Sequence, residues 1–333
     1  MKKLSLLLAF CCLLTALIGC GKQTRFSESF YFMDTVIGVT LYTDDQDIAQ
    51  AAFADCRALL SELDELWSRQ KEGSEPTKFQ AESTSLSNLD PRTSALLSTA
   101  LEVSKKTEGA FDVTVAPLVE LWEASEKADT LPSDALLSQA LSHTGYETLS
   151  LEGHTLIKTR PEIQIDLGGI GKGAAISLLK AHLLSLDLDG GLITFGSNVA
   201  VFGNKPSGEP FRIALRDPHD AQASVGTILL PDGMVLSVSG DYERYVTING
   251  QRYHHILDPA TGYPAESGLT SVAVITSDGA LADALSTAFF VMGTEKTLSF
   301  YQNEIFDFEA ILIATDGTLT LTDGISDIFE KNS

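Results

Sequence analysis

His254 and His255 are adjacent in HHILDPATGYP (residues 254–264), three residues ahead of Asp258 and a turn through Pro259, Gly262 and Pro264. The preceding ERYVTINGQRY alternates about an Asn-Gly pair, a hairpin pattern, so the imidazoles arrive at the end of a strand. Alternation sends the two rings to opposite faces, and at most one enters a given site. Asp258 could orient an imidazole there. The other histidines, 143, 154, 182 and 219, form no metal-spaced set, which argues against zinc and for a general base or a phosphate contact.

Two further stretches suit an anionic ligand. QIDLGGIGKGAAIS (164–177) reads as strand, four glycines within six residues, then helix. That layout lets backbone N–H groups and a helix N-terminus hold phosphate. It is not a Walker motif, because Gly173 stands where a hydroxyl residue should follow Lys172, and its glycine spacing is not a dinucleotide fingerprint. A tight strand-to-helix turn that needs glycine only for its geometry explains the letters equally well. In SDGALADALSTAFFVMG (277–293), Ser277 or Asp278 caps a helix that ends at Gly293. Asp283 and Thr287 are four apart and share a face with the small residues Ala280, Ala284 and Ala288. A carboxylate and a hydroxyl are two hard oxygen ligands for Mg2+, with room for a diphosphate to complete the shell. Spacing alone suits a solvated helix face better; an anionic substrate on an acidic protein tilts the balance back. In GAFDVTVAPLVELW (109–122), a short apolar segment follows Phe111, which could stack on an aromatic ligand, and Asp112, which could bind a polar ring edge. A core phenylalanine beside a capping aspartate accounts for them as well.

These segments need elements to hold them. FYFMDTVIGVTLYT (30–43) is β-branched and aromatic and reads as a strand. From Asp47 to Ser68, Ile48, Ala52, Cys56, Leu59, Leu63 and Leu66 recur at helical spacing. Residues 71–88 read as a long polar loop broken by Gly73 and Pro76. Further helices are expected from Ser94 to Lys106 with a stop at Gly109, from Pro132-Ser133 to just before Gly145, and directly after the glycine cluster. Glu152-Gly153, Asp232-Gly233, Asn249-Gly250 and Asp316-Gly317 each lie between β-rich runs and predict hairpins. Hairpins interspersed with helices, without strict strand–helix alternation, give an α+β fold of mainly antiparallel sheet in one intertwined domain.

The opening MKKLSLLLAFCCLLTALIGC has two lysines, an apolar run and a small residue followed by cysteine. It reads as a bacterial export signal over residues 1–19, too short for a spanning helix, and its end resembles a lipobox that would leave a lipid on Cys20. Residues 20–29 then form a polar tether, and the protein sits lipid-anchored on the bacterial membrane, facing the extracytoplasmic side. Cys11 and Cys12 fall in the signal, so Cys56 alone remains for the domain, as a packing residue without a disulfide partner. The net charge of −22 becomes −24 once two lysines leave with the signal. Such a field repels nucleic acid and anionic headgroups, and an anionic substrate would need a cation as a bridge.

FMDTVIGVTLY, GAFDVTVAPLVELW, IDLGGIGKG, VSGDYERYVTINGQRYHHILDPATGYP and ADALSTAFFVMG, in that order, resemble the ApbE-type FAD:protein FMN transferases over about residues 30–320. The resemblance implies an ApbE-like domain over 30–325 that binds FAD with Mg2+ and cleaves its pyrophosphate. FMN would pass to a Ser or Thr hydroxyl of an acceptor protein, with release of AMP. By the same resemblance, Met33 and the Ala110-Phe111-Asp112 run would contact the flavin or its adenosine portion, as would Ile256, and Asp166 and Lys172 would flank the ligand. Trp67 is the aromatic nearest the position after the first helix that touches FAD in relatives. Magnesium would take the side chains of Asp283 and Thr287 and backbone carbonyls of Gly169 and Ala280. His255 would activate the acceptor hydroxyl or stabilise the transferred phosphoryl group, so His255 and Asp283 carry the chemistry. Residues 69–90 depart from the family pattern. Export implies an extracytoplasmic redox subunit with an FMN-binding domain as acceptor. Three alternatives stay open: an FAD pyrophosphatase yielding FMN and AMP, a non-catalytic flavin-binding lipoprotein, and a structural surface lipoprotein.

Overall fold

Residues 24–332 are described by the computed structural model, and among them every strand pairing is antiparallel. The expected export signal, with Cys11 and Cys12, and the expected lipid site at Cys20 lie outside the described residues.

The chain enters as a hairpin of β1 (Thr24–Phe32) and β2 (Thr35–Thr43), joined by a turn with Met33 and Asp34 at positive φ. Two expectations are corrected here. The stretch 30–43 is not one strand, because the turn breaks it, and residues 24–29 are strand, not tether. Every second residue explains the latter: Phe26, Phe30 and Phe32 pack toward the core while Arg25, Ser27 and Ser29 alternate with them. β2 buries Ile37, Val39 and Leu41 by the same period of two.

Next comes α1 (Gln46–Trp67), capped by Asp45, whose carboxylate accepts from the N–H groups of Asp47 and Ile48. Cys56 lies in its buried stripe, and burial pushes the thiol up to about 12, as suits a packing residue. The expected loop 71–88 contains α2 (Glu75–Ala81) and β3 (Ser85–Leu86). Ser74 caps α2 and Pro76 sits in its first turn, where proline favours a helix instead of breaking one. α3 (Pro91–Lys106) follows, with Gly109 at φ +83 closing it. α4 (Ala116–Ala128) occupies what reads as a short apolar segment; its buried Leu118, Trp122 and Ser125 give the helical face. α5 (Asp134–Ser142) begins behind Ser133 as expected.

β4 (Leu149–Glu152) and β5 (Thr155–Lys158) form a hairpin, and α6 (Gly171–Leu184) follows the glycine cluster. Residues 164–168 have no ladder, so the segment before the cluster is irregular chain and not the expected strand. Its anchor is the Asp166 N–H, which donates to Val113 O at 2.8 Å. The second half runs through β6 (Gly190–Phe195), β7 (Asn198–Gly203), β8 (Phe211–Arg216), β9 (Ser224–Leu230), β10 (Val235–Gly240), β11 (Tyr245–Ile248) and β12 (Gln251–His254). It ends with β13 (Leu269–Thr276), α7 (Gly279–Gln302), β14 (Glu309–Ala314), β15 (Leu319–Leu321) and β16 (Phe329–Lys331).

One eight-stranded sheet, ordered β1-β2-β6-β7-β10-β13-β14-β15, is the centre of the molecule. All eight residues of β13 are buried, because both its faces are covered. Val272 and Val274 pack into the helical core, whereas Ala273 and Ile275 pack with Phe211, Ile228 and Leu230 of the three-stranded sheet β16-β9-β8. The turn at Asp232-Gly233 therefore steps between layers and is not the expected hairpin. Its left-handed glycine reverses the chain, but β10 finds its partners in β7 and β13. The other three Gly turns do close hairpins. α7 breaks at Gly293 (φ +78, ψ 175), where the sequence predicts its end, and then resumes. Among the described residues no helix is long and apolar enough to cross a membrane.

Candidate functional site

Two helices cross on two glycines. A Cβ on Gly173 would lie 1.9 Å from Gly279 O, and one on Gly279 would lie 2.3 Å from Gly173 O. At Gly173, then, glycine serves the close approach of α6 to α7. That contact brings the Gly173 N–H to Asp283 Oδ2 at 2.9 Å. At Gly169 the loop passes against α7: a Cβ there would meet Phe111 at 3.2 Å and Thr287 Oγ1 at 3.8 Å.

Asp283 is buried, not on a solvated helix face. Besides Gly173, its carboxylate accepts from Ser237 Oγ at 3.2 Å and Asn198 Nδ2 at 3.4 Å, both onto Oδ1. Lys172 Nζ stands 3.8 Å from Oδ2 and donates to Gly168 O at 2.7 Å. Asn198 Oδ1 is buried beside this group without a hydrogen-bond partner. Three donors leave a carboxylate with about one free lone-pair site, and Thr287 and Gly169 add a hydroxyl and a carbonyl nearby. Hard oxygens with a single carboxylate suit Mg2+ that draws its other ligands from a diphosphate and water. Among the described residues no group of three or more His, Cys, Asp and Glu could hold an ion. A metal here would therefore depend on substrate oxygens.

Facing this wall is the β11–β12 hairpin with the turn behind it. Backbone amide and ring of His255 both contact Arg244 O, at 3.1 Å from N and 2.9 Å from Nδ1. A carbonyl only accepts, so Nδ1 carries the proton and Nε2 is left with its lone pair free. The ring keeps a face open to the cleft, yet loss of water around it pushes the pKa down to about 4, helped by the nearby cations Lys172 and Arg244. His255 is thus neutral at neutral pH. His254 is different. Its Nε2 faces Ala265 O at 3.1 Å, its ring meets Phe290 edge-on, and its Nδ1 is buried without a partner. Asp258 does not orient either imidazole. Its carboxylate accepts from Ala260 N–H and Thr261 O–H and shapes its own turn.

Between the walls lies a cavity of about 980 Å³. Of the sequence candidates, Met33, Trp67, Ala110, Phe111, Asp112, Asp166, Gly169, Lys172, His255, Ile256, Asp283 and Thr287 all line it. Ala280 does not; it is buried in the helical core one turn before Asp283. Several of the others support the walls. Trp67 is buried, donates from Nε1 to Thr93 Oγ1 at 2.9 Å and backs Gly171. Phe111 is buried under Gly169. Both oxygens of Asp112 are committed: Oδ1 to the N–H and O–H of Thr114, Oδ2 to Tyr146 N–H at 2.8 Å. Its carboxylate thus anchors a turn, with Oδ1 taken by two donors and one lone-pair site left on Oδ2, and burial raises its pKa. Asp166 accepts from Gly168 N–H at 2.7 Å and pairs with Arg69 Nε at 3.1 Å.

Arg69, Asn198, Ser237, Ser239 and Arg244 escape the sequence reading. Arg69 bridges Asp166 and Glu123 from a segment with no recognisable pattern. Arg244 Nη2 donates to Asp34 O and Thr35 Oγ1 and clasps the hairpin to the β1–β2 turn. The stretch VSGDYERY was a signal for Ser239 and Arg244, as part of the recognised motif; nothing local marks Asn198.

Comparison with known proteins follows the same geography. The ApbE family model matches residues 33–312. An FAD:protein FMN transferase of Vibrio cholerae is 33% identical over 296 residues, covering 86% of this chain and 87% of that protein. The solved ApbE protein of Thermotoga maritima superposes with a TM-score of 0.82 at 30% identity, covering 92% of this chain and 100% of the other. The solved flavin transferase ApbE of Vibrio cholerae gives a TM-score of 0.81 at 29% identity, over 92% and 99% of the two chains.

Proposed function

The chain belongs to the ApbE family, and from that premise we infer that it transfers FMN from FAD to a protein, the activity for which its matched relatives are named. The observation that carries the reading is one cavity lined at once by His255, Asp283, Thr287 and the glycine loop.

The acceptor group is a Ser or Thr hydroxyl. Its oxygen forms a bond to the flavin-side phosphorus, the bridging P–O bond of the pyrophosphate breaks, and AMP leaves with the bridging oxygen. The hydroxyl proton passes to His255 Nε2, the free lone pair on a neutral ring. Lys172, in the same cavity, supplies fixed positive charge for phosphate oxygens in a protein of net charge −22. Mg2+, when bound by Asp283, Thr287 and Gly169, would neutralise the diphosphate and act as a Lewis acid. The remaining work is positioning. Incubation with FAD, Mg2+ and an FMN-binding acceptor domain, followed by intact-mass measurement, tests this: the acceptor should gain one FMN and AMP should appear in equal amount.

A second reading is favoured by the open face of His255. Water can reach the same base, so hydrolysis of FAD to FMN and AMP competes when no acceptor is present. If the acceptor's mass stays unchanged while free FMN accumulates, hydrolysis is the main activity.

The export signal and lipobox-like ending support a lipid anchor at Cys20 on the extracytoplasmic face of a bacterial membrane, with a redox subunit as acceptor. Cys20→Ser should release the protein from the membrane fraction; retention there would exclude the anchor.

A further inference from the structure

Behind Asp283 and Thr287 runs a buried chain of hydroxyls. Ser237 Oγ contacts Asp283 Oδ1 at 3.2 Å and Ser286 Oγ at 3.3 Å. Ser286 Oγ contacts Asp283 O at 2.9 Å and Ser239 Oγ at 2.8 Å, and Ser239 Oγ continues to Thr287 Oγ1 at 3.4 Å. Ser237 and Ser286 are wholly buried, while Ser239 and Thr287 border the cavity.

Five contacts share four hydroxyl protons, and two of the terminal acceptors, a carboxylate and a backbone carbonyl, can only accept. Ser237 therefore donates to Asp283 Oδ1 and Ser286 to Asp283 O. Ser286 then has no proton left for Ser239, so Ser239 donates to Ser286. Ser239 in turn has none left for Thr287, so Thr287 donates to Ser239. This order satisfies four of the five contacts. The opposite order, with Ser286 donating to Ser239 and Ser239 to Thr287, satisfies three and leaves the carbonyl of Asp283 without its side-chain donor.

We propose that Ser286 and Ser239 are positioning residues that fix the direction of the Thr287 hydroxyl proton, turning it into the protein and leaving the oxygen lone pairs for a cation in the cavity. Neither serine is a ligand. They preset a neutral side chain as an acceptor, which matters because Asp283 is the sole carboxylate among the candidate ligands and has most of its lone pairs in use. The inference rests on the Mg2+ reading above. Ser286 is the more telling of the two, since it does not line the cavity. Without it, Ser239 loses its acceptor, its proton turns to Thr287 Oγ1, and a lone pair meant for the metal is occupied.

The test is calorimetric titration of Mg2+ into the full exported domain saturated with ADP, a diphosphate that carries no FMN, with thermal unfolding measured in parallel. Ser286→Ala and Ser239→Ala should each raise the Mg2+ Kd about tenfold, the size of effect usual for residues that orient a metal ligand. Ser286→Thr, which keeps a hydroxyl able to donate to the same carbonyl, should restore it. A lowered Tm with a Kd within twofold of the parent in either alanine variant would mean that the serines merely pack, and would overturn the proposal. Ser239→Ala carries the test if Ser286→Ala fails to fold. If the parent protein itself takes up no Mg2+, the metal reading falls and this inference with it; if the parent binds and the variants bind equally, only the inference falls.

Discussion

The two walls of the cavity are built on different principles. The α6–α7 wall is glycine packed on glycine, with Asp283 buried and hydrogen-bonded by three donors, one of them a backbone N–H. The β11–β12 wall is a two-stranded ribbon outside the main sheet, resting on a small apolar cluster that includes Leu118, Trp122, Ile248 and Leu257. One wall cannot shift without loss of backbone contacts. The other keeps Arg244, Tyr245 and His255 exposed. The difference teaches a division of labour. A buried carboxylate held by three donors, with one lone-pair site left, suits a fixed seat for a metal and diphosphate, and a surface ribbon suits a place where a second protein brings its hydroxyl.

Breaking the fixed wall should cost most. Asp283→Ala removes the sole carboxylate of the candidate metal ligands and strands the Gly173 N–H; flavin transfer to an acceptor should fall by about a thousandfold or more, even at saturating Mg2+. An unchanged rate of covalent flavin incorporation would count decisively against the site. His255→Gln should lower transfer by about a hundredfold or more while FAD binding, followed by flavin fluorescence, stays near the parent value. A matching loss of FAD affinity would make His255 a binding residue instead of a base.

The pH dependence sharpens the same contrast. Loss of water around the inner face of His255, with Lys172 and Arg244 nearby, favours its neutral form, so its protonation in the folded protein is displaced to about pH 4. The acid limb of transfer should therefore fall near pH 4 and not near the ordinary histidine value of about 6.5. The sign for stability follows. The folded pKa lies below the unfolded one, so any stability contributed by neutral His255 is present above about pH 6.5 and is lost as pH falls toward 4. A limb at pH 6.5 in kcat/KM would show that the free-enzyme ring is not desolvated.

Gly173→Ala places a methyl 1.9 Å from Gly279 O, a backbone atom that cannot swing aside. Unfolding free energy should drop by about 3 kcal/mol, read by denaturant titration. The smallest effect belongs to the clasp. Arg244→Gln loses two hydrogen bonds to the β1–β2 turn and should raise the acceptor KM a few-fold with kcat nearly unchanged. A large kcat loss would instead tie Arg244 to His255, which hangs from its carbonyl.

Much of this was legible in the letters. The α+β class followed from hairpin turns and helical stripes, and α1, α3, α5, α6 and the break at Gly293 fall where periodicity and capping residues put them. Local signals failed where two structures share them. Asp232-Gly233 reverses the chain whether or not its strands pair, and Pro76 begins a helix as readily as it breaks a loop. The segment after Asp112 reads only as short and apolar, because α4 turns just one stripe, Leu118, Trp122 and Ser125, inward.

The sequence by itself determined the residue types of the site, the order of its motifs and the acidic field that makes a bridging cation reasonable. Tertiary structure decided which reading of each motif holds. Gly173 serves a helix crossing, Asp112 and Asp258 close turns, and Asp283 is buried against Asn198, Ser237 and Ser286. The physical reason is range. Turn and helix signals act over a few residues, but hydrogen-bond partners such as Asp283 and Gly173 are set by the packing of elements 110 residues apart, and no local pattern records that contact.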